Sequence, residues 1–120
     1  MTAEEAIHNF WSGFSIPAYD EFTVPDNATL PYITYSFGYD VFGGVIDINA
    51  SIWYRSTSWA EITAKAQEIA DKIKNGGINL KTDNGGIWLY AGSPIYQRYD
   101  SGDNDIRRIY LNIYGNDICR

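Results

Sequence analysis

The sequence predicts an α+β fold in the order α-β-β-α-β-β-β, an antiparallel-rich sheet with two helices packed on one face. Three patterns carry that expectation. Two stretches repeat apolar residues at helical spacing behind capping-box openings. Residues 46–54 alternate apolar and polar side chains with a period of two. Glycine-rich turn signals separate the remaining apolar runs. A helix with one apolar stripe and a strand with one apolar face each need a single covering layer, so both helices belong on the same side of one sheet.

The first helix opens at Thr2, whose side chain can cap while Glu5 reaches back, a capping box. Ala3, Ala6, Ile7, Phe10 and Phe14 then share one helical face, and Gly13 or the Ser15-Ile16-Pro17 step should end it. His8 lies near the edge of that stripe. With no second His in the chain and no Cys at ligand spacing, it reads as an ordinary surface residue. Residues 15–31 form a long connection punctuated by Pro17, Pro25 and Pro31. Its Ile16, Tyr19, Phe22, Val24 and Leu30 should pin it to the body; the other reading is an arm that reaches a neighbour. A strand follows at 32–38, then a hairpin connection at 39–44. In the next strand Ile46, Ile48, Ala50, Ile52 and Tyr54 face one way and Asp47, Asn49, Ser51 and Trp53 the other, the pattern of a half-buried antiparallel strand.

Ser58 and Glu61 frame a second capping box. Trp59, Ile62, Ala66, Ile69, Ala70 and Ile73 follow at helical spacing until Gly76-Gly77 stops the helix. Ile78–Thr82 is a short strand. Asp83-Asn84-Gly85-Gly86 is a tight turn, for which Asn-Gly is a strong signal, and 87–91 returns as the partner strand. Residues 94–99 are extended and 101–105 form a polar loop. The last strand covers 106–114, with Ile109, Leu111 and Ile113 facing one way and Arg108, Tyr110, Asn112 and Tyr114 the other. The face without helices then carries Asp47, Asn49, Ser51, Arg108, Tyr110 and Asn112 toward water or another subunit.

At 120 residues the chain fits one domain, 1–120, long enough for a core without staples. Hydrophobic residues at 45% and charged residues at 20% exclude disorder. A net charge of −6 disfavours a protein that binds nucleic acid by neutralising phosphates, though not one lining a channel through which DNA slides. The single cysteine, Cys119, leaves no disulfide within the chain, which suits a reducing cytosol. The N-terminus lacks a basic stretch followed by an apolar run, so no signal peptide is expected. No apolar run reaches the ~18 residues that a membrane-spanning helix requires.

No catalytic constellation is legible: no Cys–His pair, nucleophile elbow, phosphate-cradling loop or dinucleotide fingerprint. The expectation is a protein that is not an enzyme, with no catalytic residue, metal or cofactor. Asp100, Asp103 and Asp105 cluster, but counting from Asp100 the sixth position is Asp105 and the twelfth Leu111, where a calcium loop needs Gly and Glu. What stands out is ring surface: ten Tyr, five Phe and four Trp. Tyr and Trp tolerate half-wet positions and are enriched where proteins meet. Arg55, Arg98, Arg107 and Arg108 sit beside aromatics, which suits cation–π and ion-pair contacts better than base stacking, given the acidic balance. The candidate interface residues are Tyr39, Phe42, Trp88, Tyr90, Tyr96, Arg98 and Tyr99.

Three phrases, Ile16-Pro-Ala-Tyr-Asp-Glu-Phe-Thr-Val-Pro-Asp-Asn-Ala-Thr-Leu-Pro-Tyr-Ile-Thr-Tyr35, Ala50-Ser-Ile-Trp-Tyr-Arg-Ser-Thr-Ser-Trp59 and Arg107-Arg-Ile-Tyr-Leu-Asn-Ile113, resemble small proteins encoded among the tail genes of long-tailed phages and prophages of Gram-positive bacteria. With the element order, the chain looks like the tail terminator (tail completion) proteins, including the lambdoid type. The resemblance implies a structural protein that caps the tail tube and joins tail to head as a hexameric ring. It implies as partners other copies of itself, the tail tube protein and a head–tail connector protein. DNA would be passing cargo only, and no membrane would be involved. The expected places are the bacterial host cytoplasm during assembly and the virion tail. Acidic side chains along a ring's bore would repel DNA and let it pass. The alternatives are another head–tail neck component, or a small protein-binding module with no virion role.

Overall fold

The computed structural model describes residues 2–38, 45–73, 76–83 and 85–119. Helices α1 (Ala3–Ser12) and α2 (Ala60–Ile73) pack against a sheet of β1 (Ala18–Asp20), β2 (Tyr32–Tyr35), β3 (Val45–Asp47), β4 (Ala50–Arg55), β5 (Ile78–Thr82), β6 (Gly85–Tyr99) and β7 (Ile106–Cys119). The strand order is β1-β2-β4-β7-β6-β5, with β3 also paired to β7. Only β1 runs parallel to its neighbour; the other pairings are antiparallel. The class is α+β, as the patterning predicts.

The Thr2–Glu5 box forms. Thr2 Oγ1 accepts the Glu5 N–H at 3.2 Å, and Glu5 Oε1 accepts the Thr2 N–H at 3.1 Å. These bonds hold the exposed Glu5 carboxyl below its ordinary pKa. Gly13 follows the helix and donates its N–H to Phe10 O. Besides the expected stripe, α1 buries Trp11 completely, its indole N–H without a hydrogen-bond partner. The helix contacts both β1 and β5, the two edges of the sheet. The sheet therefore curls until its edges approach a single helix. The reciprocal box expected between Ser58 and Glu61 is replaced by a turn. The Ser58 N–H goes to Ser56 Oγ at 3.0 Å, and the Ser58 hydroxyl accepts from Ala60 at 3.1 Å. The helix begins at Ala60, so Glu61 sits too early in its first turn to reach back.

The long connection is pinned by backbone as well as by Ile16 and Tyr19, but Phe22, expected to help pin it, is exposed instead. Ala18–Asp20 pairs with Ile33–Tyr35 as the edge strand β1, and the Ile33 N–H reaches Pro17 O at 2.8 Å. The alternating strand of residues 46–54 is divided at Ile48 and Asn49 into β3 and β4, without loss of register: Asp47 pairs with Tyr114 and Ala50 with Leu111. At the break the Ile113 N–H goes to Asn49 Oδ1 at 3.3 Å, while Asn49 O accepts both the N–H and the hydroxyl of Ser36. The expected pieces 87–91 and 94–99 are one strand with a bulge. Ala91 pairs with Ile113 but Tyr96 with Leu111, so β6 carries three extra residues there. Asn112 Nδ2 donates to Pro94 O at 2.8 Å across the bulge. Strand β7 continues past Tyr114 to Cys119. The β5–β6 hairpin closes with Thr82 opposite Gly85, so Gly85 is the first residue of β6. Asn84 lies outside the described residues, as does the connection expected at 39–44.

Ile33, Ile48, Ile52, Ile87, Leu89, Ile109, Leu111 and Ile113 from the sheet join Ile62, Ala66, Ile69 and Ile73 from α2 and the buried rings of α1 in one core. Gly115 lies beneath it. A Cβ there would stand 2.7 Å from Ile48 Cδ1 and 3.0 Å from Ile87 Cγ2. Gly115→Val is expected to destabilise the domain by about 1–3 kcal/mol through overpacking. The check is urea denaturation; an unchanged midpoint would show that the core yields at this point.

Candidate interaction surface on the helix-free face

Successive strand residues point to opposite faces, and the register decides which side chains meet. Thr34 pairs with Ser51, Ser51 with Tyr110, Trp53 with Arg108, and Arg108 with Tyr99. These six positions form a band across the face turned away from the helices. Arg108 is its centre. Its Nε donates to Ser51 Oγ at 3.0 Å, and its guanidinium lies 4.7 Å from the Trp53 ring centroid and 5.1 Å from that of Tyr99. A cation over an aromatic face is attracted by the ring quadrupole. Trp53 Nε1 donates to Thr34 Oγ1 at 2.9 Å, which fixes the indole. Tyr99 stacks on Tyr110 at 5.1 Å, Tyr90 lies 5.9 Å from Tyr114, and Tyr19 meets Tyr32 edge-on at 5.8 Å. Glu21, Tyr32, Thr34, Trp53, Arg108 and Tyr110 border a hollow of about 380 Å³. Burial raises the Tyr110 phenol pKa first, and the neighbouring Tyr99 and Glu21 add to the rise.

Trp88, Tyr90 and Tyr99, candidates from the sequence, belong to this face; Trp88 and Tyr99 are exposed. Tyr96 and Arg98 do not join them. The odd number of extra residues in the bulge shifts the alternation of β6, so Tyr96 faces the same way as buried Leu111. Its hydroxyl donates to Gln67 Oε1 on α2 at 3.1 Å. Arg98 lies 4.6 Å from the Trp59 ring, which Arg107 approaches at 5.3 Å from β7. Tyr39 and Phe42 lie outside the described residues. The two residues at the middle of the band, Trp53 and Arg108, were not among the candidates. Their alternation with apolar neighbours was the signal that could have found them.

A second hollow, of about 500 Å³, is bordered by Glu4, His8, Asp20, Tyr35 and Phe37. His8 is exposed but engaged. Its Nδ1 lies 2.9 Å from the Tyr35 hydroxyl and its Nε2 3.3 Å from Ser12 Oγ. Among the described residues no group of three or more His, Cys, Asp or Glu is placed to hold a metal ion, and no helix is long and apolar enough to cross a membrane. The helix-free face carries fixed rings, an oriented guanidinium and a rim of hydroxyls.

Tyr35, Tyr54 and Tyr110 all have phenol pKa values raised above the ordinary one, burial being the largest cause in each. A raised acid pKa means that the unfolded chain ionises first. The stabilisation from these phenols is therefore complete below the unfolded value of about 10 and is lost as pH rises past it toward the folded value. An ultraviolet titration should show phenolate appearing late in the folded protein, and urea midpoints should fall above pH ~10. Tyr110→Phe should make that fall shallower. Titration of every phenol at the ordinary value would contradict the burial described.

No protein-family model matches the chain, and no curated protein matches it. Among solved structures its fold is similar to that of a chain in the virion of a native gene transfer agent particle. The TM-score is 0.60 at 18% sequence identity, over 96% of this chain and 93% of that one. At that identity the likeness is one of fold, and it extends over nearly the whole of both chains.

Proposed function

We propose that this chain is a structural protein of a phage-like virion, and within it a tail terminator, a ring subunit that caps the tail tube and joins tail to head. The observation that carries the reading is the end-to-end fold likeness to a chain of a gene transfer agent virion, an analogy at the level of fold. It agrees with the resemblance of residues 16–35, 50–59 and 107–113 to tail-gene proteins. The helix-free face supports it by offering what an assembly subunit needs: stacked tyrosines, an arginine held between rings, and exposed Trp88 and Tyr99. Aromatic and Arg residues dominate binding energy where proteins meet.

In this reading the partners are further copies of the chain in a ring of six, the tail tube protein on one side and a head–tail connector on the other. The work is capping. A tube end stops growing when its contacts are occupied by a protein that does not repeat them. The net charge of −6 favours free passage of DNA over adhesion to it. Assembly takes place in the bacterial cytoplasm and the product is part of the tail.

Deleting the gene should leave DNA-filled heads unjoined to abnormally long tails, seen by electron microscopy of the lysate. Attached tails of normal length would reject the terminator role. Charge substitutions at Trp88 and Tyr99, both exposed, should abolish joining while circular dichroism shows the isolated domain still folded.

A further inference from the structure

Phe22 is 88% exposed, twice the exposure of Tyr99 at 44%. It is held there by a built turn. Asp20 Oδ1 accepts the Phe22 N–H at 2.9 Å, Asp20 O accepts the Thr23 N–H at 3.0 Å, and the Glu21 N–H reaches Tyr35 O at 3.0 Å. The edge strand β1 thus ends by presenting a phenyl ring to water. Among the described residues no ring contact engages that side chain.

The molecule also carries a groove in which an apolar ring would fit. It runs between α1 and α2 over β5, encloses about 950 Å³, and is lined by Ala6, Phe10, Phe14, Ile78 and Leu80, with Lys72 and Lys81 among its polar residues. Two carboxylates border it too, but both are engaged. Glu68 takes Lys65 Nζ at 3.0 Å, and Asp71 takes the Gln67 amide at 2.8 Å. Among the described residues Lys72 and Lys81 form no ion pair. The Phe22 turn has the opposite sign, with Asp20, Glu21 and Asp26 around it. Phe22 does not line the groove. Helix α1 touches β1, which leads into the Phe22 turn, and β5, which floors the groove. Knob and groove are therefore different surfaces of one chain, and a contact that uses both between copies is head-to-tail, the type that generates rings.

We propose that Phe22 of one copy docks in the α1–α2–β5 groove of a second copy, with Glu21 facing Lys72 and Lys81. The proposal rests on the ring reading and names the contact that would build the ring. Phe22 acts as an apolar anchor in a pocket, and the opposed charges set its direction.

The test mixes two singly substituted proteins in a Cys119→Ser background, one carrying Thr23→Cys beside the intact Phe22 and the other Lys72→Cys, under mild oxidation. A cross-linked heterodimer in the mixture, absent from either protein alone, is the expected result. Equal cross-linking of the Thr23→Cys protein with itself would overturn the head-to-tail docking, and so would no cross-link at high concentration. In parallel, Phe22→Glu, at a site too exposed to matter for folding, should weaken self-association by about tenfold or more. Lys72→Glu with Lys81→Glu should weaken it too, and Glu21→Lys should restore part of the loss. Mass by light scattering reads these effects. Association unchanged by Phe22→Glu would reject this contact while leaving the terminator reading intact, because the deletion phenotype decides that separately.

Discussion

One helix has to serve both edges of a curled sheet, and the rest of the architecture follows from how it does so. Helix α1 presents Phe10 and Trp11, and Phe14 follows just past its end; the three pack on one another with ring centroids 4.9 to 6.3 Å apart. Rings of this size fill the space that opens where a twisted sheet bends away from its own edges. Their burial ties β1 to β5 although the two are the most distant strands in the sheet order. Helix α2 lies over the middle of the sheet on β4, β6 and β7. With both helices committed to one side, the other face is left to the side chains of the strands alone.

The free face is where the aromatic load of the sequence finds its use. Interior space goes to isoleucine: Ile7, Ile33, Ile48, Ile52, Ile62, Ile69, Ile73, Ile87 and Ile109 are among the largest fully buried side chains. Most of the described tyrosines are only half-buried; Tyr19 meets Tyr32, Tyr90 meets Tyr114, and Tyr110 stacks on Tyr99 beside Arg108. Arg108 shows how such a surface is kept in order. A hydrogen bond to Ser51 fixes one edge of its guanidinium, and two rings fix its faces. A side chain so restrained loses little freedom on meeting a partner, which lowers the cost of association.

The bulge in β6 divides the strand's aromatic residues between two faces. Three extra residues, held by the Asn112 to Pro94 hydrogen bond, turn the outer half of the strand over. Trp88 and Tyr90 before the bulge lie on the helix-free face, and so does Tyr99 after it. Tyr96 and Arg98 are turned toward Gln67 and Trp59 of the helical layer. Gly92 permits the crossing, since a Cβ there would stand 2.7 Å from the Tyr114 ring. The bulge thus gives the two aromatic groups separate roles. One extends the exposed band and the other locks α2 to the long β6–β7 hairpin.

By itself the sequence determined what depends on near neighbours along the chain. The α1 capping box, the apolar stripes of both helices, the period-two strand through Ile48, Ala50 and Ile52, and the β5–β6 hairpin were all legible, because each is set by spacings of two to four residues. The polar and aromatic character of the second sheet face followed from the same alternation. Tertiary structure decided the rest. The three-residue strand β1 exists only because β2 supplies its partner, and no local period marks it. The Ser58 box gave way to a turn because the helix starts at Ala60, one residue later than the box requires. The sides taken by Tyr96 and Arg98 were decided by a bulge whose register is fixed by their partners on β7, Leu111 and Ile109. Side-chain period is a local property, but which face a residue joins is a property of pairing, and pairing is settled only when distant strands meet.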